Sequence, residues 1–264
     1  MDRYKAIVAY DGTDYAGFQI QAGVGTIQGV LEQALRGLGW EGAHLLAAGR
    51  TDSGVHALGQ VVAFDLDWPH LPEALAPALN ARLPGNVRCR AVTQAANEFH
   101  PRYSARRRTY RYRLIESRQA DPLGERFAWR VWPALEHGLL GRVSAAIVGR
   151  KDFAAFGTPP HRGGTTVRHV MRAEWRPIDE ALEFTIQADA FLYRMVRMLV
   201  GSLVRVGQER VSEAEFLDLL GRPGARHGGP AAPAKGLCLM RIDYEAPNES
   251  EAEAPPSGAL GETL

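Results

Sequence analysis

The sequence has almost no lysine. Lys5, Lys151 and Lys235 are its three, so 28 of the 31 basic residues are arginines. Cysteine is nearly as scarce. Cys89 and Cys238 cannot build a disulfide framework and show no metal-ligand spacing. So few cysteines suit a reducing compartment, and a cytoplasmic protein is expected. No apolar run approaches the roughly 20 residues that span a bilayer. The opening MDRYKAIVAY carries charges too early for a signal peptide, so no membrane association is expected. What the chain does have is 45% hydrophobic residues over 264 positions, enough for one large domain or two smaller ones.

A formal net charge of +1 hides an asymmetry. Five of the 30 acidic residues (Glu245, Glu249, Glu251, Glu253 and Glu262) fall after Tyr244, where no basic residue occurs. The rest of the chain therefore carries a surplus of six positive charges. Arginine forms bidentate bonds to phosphate and stacks on bases, which lysine does poorly. A codon bias would explain a high arginine total, but not its clustering. Arg102, Arg106, Arg107, Arg108, Arg111, Arg113 and Arg118 stand against one acid, Glu116, with Tyr103, Tyr110 and Tyr112 interleaved. On a strand Arg111 and Arg113 share one face, and Tyr110 and Tyr112 the other. Cations for phosphates beside rings for splayed bases make a nucleic-acid surface. A strand edge kept soluble by charge is the plainer alternative.

Apolar periodicity predicts strands at 4–10, 43–47, 60–66, 87–93, 107–115, 166–176, 181–188 and 237–244. Helices are predicted at 71–83, 134–149, 190–207 and 212–221, and after Thr26, a plausible N-cap, where Ile27, Val30, Leu31, Ala34, Leu35 and Leu38 line one face. Strands that often follow strands argue for an α+β fold with largely antiparallel sheets. The first half is loosely echoed in the second. That places domains at 1–105 and 106–245, with an acidic tail at 246–264 too polar to fold. In the helix AFLYRMVRMLVGSLVRVG, residues Arg194, Arg197 and Arg205 fall within about 80° of one another. Gly201 lies on the same side. A helix this apolar is mostly buried, so the stripe is expected to face a cleft holding an anion, and Gly201 to allow another group to come close.

One stretch stands out: GRTDSGVHA, residues 49–57, with Asp52 among glycines, an arginine and a histidine. Three readings compete. Asp-Ser-Gly is ordinary turn chemistry, so Asp52 could cap a turn. D-S-G is also the aspartic-protease triplet, but the chain has no second one, and Arg50 would oppose a shared proton. Third, an arginine beside a carboxylate favours its charged form, which suits a lone nucleophile or base. With the arginine clusters, the third reading points to chemistry on a nucleotide in RNA. A protein that only binds RNA is its rival.

GRTDSGVHALGQVVAF closely resembles the signature G-R-T-D-x-G-V-H-A-x-G-Q-V-x-x-F of the tRNA pseudouridine synthase A family. YDGTDYAGFQIQ, FHPRYSARRRTYRYRL, KDFAAF, FLYRMVRMLVGSLVRVG and APAKGLCLMRIDY are similar to that family's other blocks, in order, over roughly residues 4–244. The resemblance implies the pseudouridine synthase fold: two similar α+β domains, each a mainly antiparallel sheet with helices on one face, and a cleft between them. It implies isomerisation of uridine to pseudouridine at positions 38 to 40 of the tRNA anticodon stem-loop, with tRNA as partner, a homodimer, and no cofactor or metal. By the same resemblance Asp52 is the catalytic aspartate, Arg50 guards the space of a flipped-out base, Tyr110 stacks on the uracil and Arg197 pairs with Asp52. Leu237 and Leu239 line the pocket. Arg106, Arg107, Arg108 and Arg194 are expected to meet phosphates.

Overall fold

The computed structural model describes residues 1–159, 161–220, 222 and 229–244. The acidic tail expected at 246–264 lies outside them. In chain order the elements are β1 (Asp2–Tyr10), α1 (Ile27–Arg36), β2 (Leu46–Ala47), β3 (His56–Leu66), α2 (Leu75–Asn80), β4 (Val87–Gln94), β5 (Arg107–Glu116), β6 (Trp129–Val131), α3 (His137–Ala145), β7 (Gly149–Asp152), β8 (Val167–Ile178), β9 (Ala181–Ala188), α4 (Met195–Gly207), α5 (Glu213–Leu219) and β10 (Leu237–Asp243). None of the described helices is long and apolar enough to cross a membrane.

The strands form one sheet in the order β4-β1-β3-β10-β5-β9-β8-β7, with β2 on β3 and β6 on β5. The β10–β3 and β5–β6 pairs are parallel; the others are antiparallel. The fold is therefore α+β with a mainly antiparallel sheet, as the alternation of elements predicts. β10 comes from the end of the chain yet sits at the centre. Cys238 pairs with His56 on one side and with Arg111 on the other.

Two apolar cores cover the sheet. One gathers Tyr4, Val8, Phe18, Leu31, Leu35, Val62 and Leu79 around α1 and α2. The other gathers Tyr112, Leu140, Phe153, Phe184, Leu199 and Phe216 around α3, α4 and α5. Leu237 belongs to the second core and Leu239 to the first. Residues two apart on a strand share a face, so both cores lie on the same face of the sheet and meet across β10.

α1 forms where the sequence places it. The Thr26 hydroxyl accepts from the Gly29 N–H, and Ile27, Leu31, Ala34 and Leu35 are buried. α4 departs from the expectation by starting at Met195 rather than 190. Tyr193 instead exchanges backbone hydrogen bonds with Thr158, and Arg194 takes the left-handed conformation at φ 62°. That break turns residues 190–194 out of the helix and toward the meeting of the two cores.

Candidate active site

Asp52 sits in the turn between β2 and β3. The Val55 N–H closes this turn on the Asp52 carbonyl oxygen at 3.1 Å, and Gly54 supplies φ +75°. The stretch YDGTDYAGF (10–18) cradles the loop from outside. Phe18 N–H donates to the Thr51 carbonyl, the Ser53 hydroxyl to the Tyr15 carbonyl, and the hydroxyls of Tyr10 and Thr51 meet at 2.9 Å. The approach is close enough that a side chain at Gly12 would lie 2.0 Å from the Val55 carbonyl oxygen. Gly17, at φ +98°, likewise faces the Thr51 carbonyl. Below the turn, the ring nitrogens of His56 reach the Gly12 N–H and the Lys235 carbonyl, and Gln60 donates to the Gly49 carbonyl. Burial pushes the His56 imidazole below its ordinary pKa, against the opposing pull of Asp11, so the ring is a neutral structural link.

The Asp52 carboxylate therefore does not cap its own turn. It points into an open cleft of about 790 Å³ between the two cores, where Arg197 Nη1 donates to Oδ2 at 2.7 Å. Arg194 Nε lies 4.0 Å from the same oxygen. Asp52 and Arg197 are 20% and 16% exposed, dry enough for a firm ion pair and open enough for a ligand. Arg197 is the third residue of α4, so the carboxylate stands at that helix's N-terminal end, where the macrodipole also favours negative charge. Among the described residues lining the cleft there is no second carboxylate, so the pair that a protease dyad needs is not present.

Tyr110 forms part of the cleft floor beside Leu237 and Leu239. Its ring meets Phe191 edge-on at 5.1 Å, and among the described residues its hydroxyl has no hydrogen-bond partner. Burial, with the Asp52 charge adding to it, pushes this phenol up to about 12, so it stays protonated at neutral pH. Leu237 and Leu239 serve twice, as strand core and as pocket floor. Arg50 lines the cleft two residues from Asp52, is exposed, and has no ion pair among the described residues.

The other expected arginines divide. Arg108 lines the cleft, but its guanidinium is spent on the carbonyls of Arg102, Ala105 and Asp189, and burial lowers its pKa. It braces the 102–105 loop rather than waiting for phosphate. Arg107 lies on the opposite face of β5, 3.6 Å from Asp243, because strand parity sends odd and even positions apart. Arg111 and Arg113 share that face and converge on buried Glu183. Arg106 is exposed but does not line the cleft. The α4 stripe also splits. Arg197 meets Asp52, whereas Arg205 lines a separate cavity with Trp129, Trp132 and Arg210.

The cleft also takes in Arg102 and Tyr103 from the arginine–tyrosine cluster, and adds Phe191, Tyr193 and Arg168, to which the sequence alone assigns no role. Arg102 over the exposed Tyr103 ring, and Arg194 over Tyr193, make two cation–π pairs at the cleft. The first pair belongs to the dense run of arginine and tyrosine that the sequence shows around residues 102–113. Nothing local signals Arg168. Among the described residues, no group of three or more histidine, cysteine, aspartate or glutamate side chains is placed to hold a metal ion.

The family described as tRNA pseudouridine synthase matches residues 6–104 and 143–245. The protein named tRNA pseudouridine synthase A from Geobacter sulfurreducens is 37% identical over 244 residues, spanning 92% of this chain and 100% of that one. The protein of the same name from Geobacillus kaustophilus is 38% identical over 246 residues, spanning 92% of this chain and 95% of that one.

Proposed function

The chain belongs to the tRNA pseudouridine synthase family, and from that membership we propose that its cleft isomerises uridine to pseudouridine at positions 38 to 40 of the tRNA anticodon stem-loop, with Asp52 as the working carboxylate. The reaction breaks the bond between C1′ and N1, turns the base and joins C1′ to C5. A proton lost from C5 is balanced by one gained at N1. The balance calls for no oxidant, reductant or hydrolytic water. Attack at C1′, addition to the base and proton removal from the sugar all need the same thing, an ionised carboxylate at the substrate.

One observation carries this reading: the Asp52–Arg197 contact of 2.7 Å, inside a cleft floored by Tyr110. Arg197 fixes the carboxylate's orientation, and Arg194 adds positive charge at its edge. Tyr110 offers its ring to the uracil as a stacking surface and, being protonated, a hydrogen-bond donor. The uridine must leave its stack to reach Asp52, at a cost of a few kcal/mol. Arg50, exposed beside the carboxylate, suits the space such a base vacates. Residues 1–105 and 106–245 act as the two domains around the cleft, with β10 of the second contributing Leu239 to the first core, and a homodimer lets one tRNA touch both subunits.

Uridine tritiated at C5 in an unmodified tRNA should release its label to water as product forms. A protein that only binds RNA would release none, and that result would remove the enzyme reading.

Two further outcomes separate cleft arginines from braced ones. Binding of tRNA should weaken by at least about tenfold between about 50 and 200 mM salt, through counterion release. A flat response in a filter-binding titration would contradict a basic cleft. Arg111→Ala, which loosens the buried Glu183 cluster, should leave tRNA affinity within about twofold and lower unfolding stability by about 1 kcal/mol, since the arginine is partly exposed. A large affinity loss in that titration would put Arg111 back on the RNA.

A further inference from the structure

The Asp52–Arg197 pair joins two segments 145 residues apart in sequence, so something must hold α4 and the Asp52 loop in register. Residues 229–236 run between them and touch both. On the α4 side, Ala232 bonds Arg197 twice. Its N–H donates to the Arg197 carbonyl at 2.9 Å, and its own carbonyl accepts from Arg197 Nε at 2.8 Å. The second bond fixes the guanidinium plane from behind while Nη1 faces Asp52. On the loop side, the Ala234 methyl lies against Gly54, and the Lys235 carbonyl meets His56 Nε2 at 3.2 Å. A third anchor comes from β5, where the Tyr112 hydroxyl donates to the Pro233 carbonyl at 2.7 Å. Ala232 itself is buried.

Gly201 sets how closely this segment can lie on α4. A methyl group there would stand 2.0 Å from the Pro230 carbonyl oxygen and 3.2 Å from the Ala232 nitrogen. Those neighbours are backbone atoms, so the segment would have to lift. Lifting it withdraws the Ala232 carbonyl from Arg197 Nε. A close approach at Gly201 is expected from the sequence alone. The group that approaches is this stretch of backbone.

We propose that Gly201 and the 229–236 segment are positioning elements for catalysis: Gly201 lets the segment close on α4, and Ala232 then locks the Arg197 guanidinium against Asp52. The claim rests on the assignment of Asp52 and Arg197 above. Gly201 touches neither substrate nor the reacting carboxylate and acts through Arg197. Tyr112 acts one step further back, by holding Pro233.

The test is single-turnover pseudouridine formation with saturating enzyme, alongside tRNA affinity and an active-site count by stoichiometric tRNA titration. Gly201→Ala should slow the chemical step by about tenfold to a hundredfold, as a misplacement near 1 Å does. Its affinity should stay within about twofold and its active-site count should be unchanged. A purely structural defect would lower the count and leave the rate per active site intact. Gly141→Ala is the control, because Gly141 also lies in a helix, α3, and a methyl there meets nothing within 4 Å. It should match wild type. Should Gly201→Ala not fold, Tyr112→Phe decides. It keeps the buried ring, removes the Pro233 bond, and should slow the same step by about three- to tenfold with affinity unchanged. Wild-type rates in folded Gly201→Ala, or in Tyr112→Phe where the first does not fold, overturn the proposal while leaving Asp52 and Arg197 in place. Product formation by Asp52→Asn, run in parallel, instead removes the assignment underneath.

Discussion

Asp52→Asn is expected to lower the rate of pseudouridine formation by at least about 10⁴-fold while leaving tRNA affinity within about twofold. Asparagine has the same shape and can still accept a hydrogen bond from Arg197 Nη1 through its amide oxygen. The loop is held by Tyr10, Gly12, Tyr15, Phe18 and Gln60, none of which is hydrogen-bonded to the Asp52 side chain, so its geometry should survive. What disappears is the negative charge, and with it any ability to act as nucleophile or base. On the proposed reading, binding draws on Arg50, Arg102 and the aromatic rings that line the cleft, which the substitution leaves alone. A loss of affinity that paralleled the loss of rate would mean that Asp52 contributes to binding and that the chemistry is carried by another group.

Arg197→Ala should cut turnover by about 10²- to 10³-fold with KM changed by no more than about threefold. It removes both the 2.7 Å bond to Asp52 and the bond to the Ala232 carbonyl. The carboxylate then keeps Arg194, whose Nε is 4.0 Å away and whose side chain is half exposed. Such a contact is too loose to fix an orientation. Breaking a buried pair by removing one partner costs several kcal/mol. Here both groups are partly open to water, so about 1–2 kcal/mol of stability is the expected loss. Steady-state kinetics on unmodified tRNA distinguish the outcomes. A raised KM with unchanged turnover would make Arg197 a phosphate contact instead of the partner of Asp52.

How much of this was legible depended on the range of each interaction. Local patterns served well. The Thr26 cap and the apolar face of α1 are readable within ten residues, and the alternation in β1 leaves Tyr4, Ala6, Val8 and Tyr10 buried in turn. Short strands leave no such signal. β6 and β7, with three and four residues, are too brief to show a period, and Gly-Arg-Lys-Asp has no apolar alternation. The start of α4 is not legible because residues 190–193 are as apolar as a helix, while the Tyr193 backbone pairs with Thr158 from elsewhere in the chain.

The site divides the same way. Asp52 drew attention through its own neighbours. Its contact with Arg197 has no local signal and came into view only through resemblance to a family. Arg106, Arg107 and Arg108 adjoin in sequence and invite one role, although strand parity puts Arg107 with Arg111 and Arg113 on the far face. The Gly201 approach was anticipated, but not the backbone that makes it. The central position of β10, parallel to β3 across some 180 residues, could not be read from either strand alone.

The most direct measurement is nucleotide-resolved mapping of pseudouridine in an unmodified tRNA after incubation with the chain or with Asp52→Asn, at equal concentration. The account predicts new pseudouridine at positions 38 to 40 with the wild-type chain and none above background with the variant. New pseudouridine in both, or in neither, would contradict it.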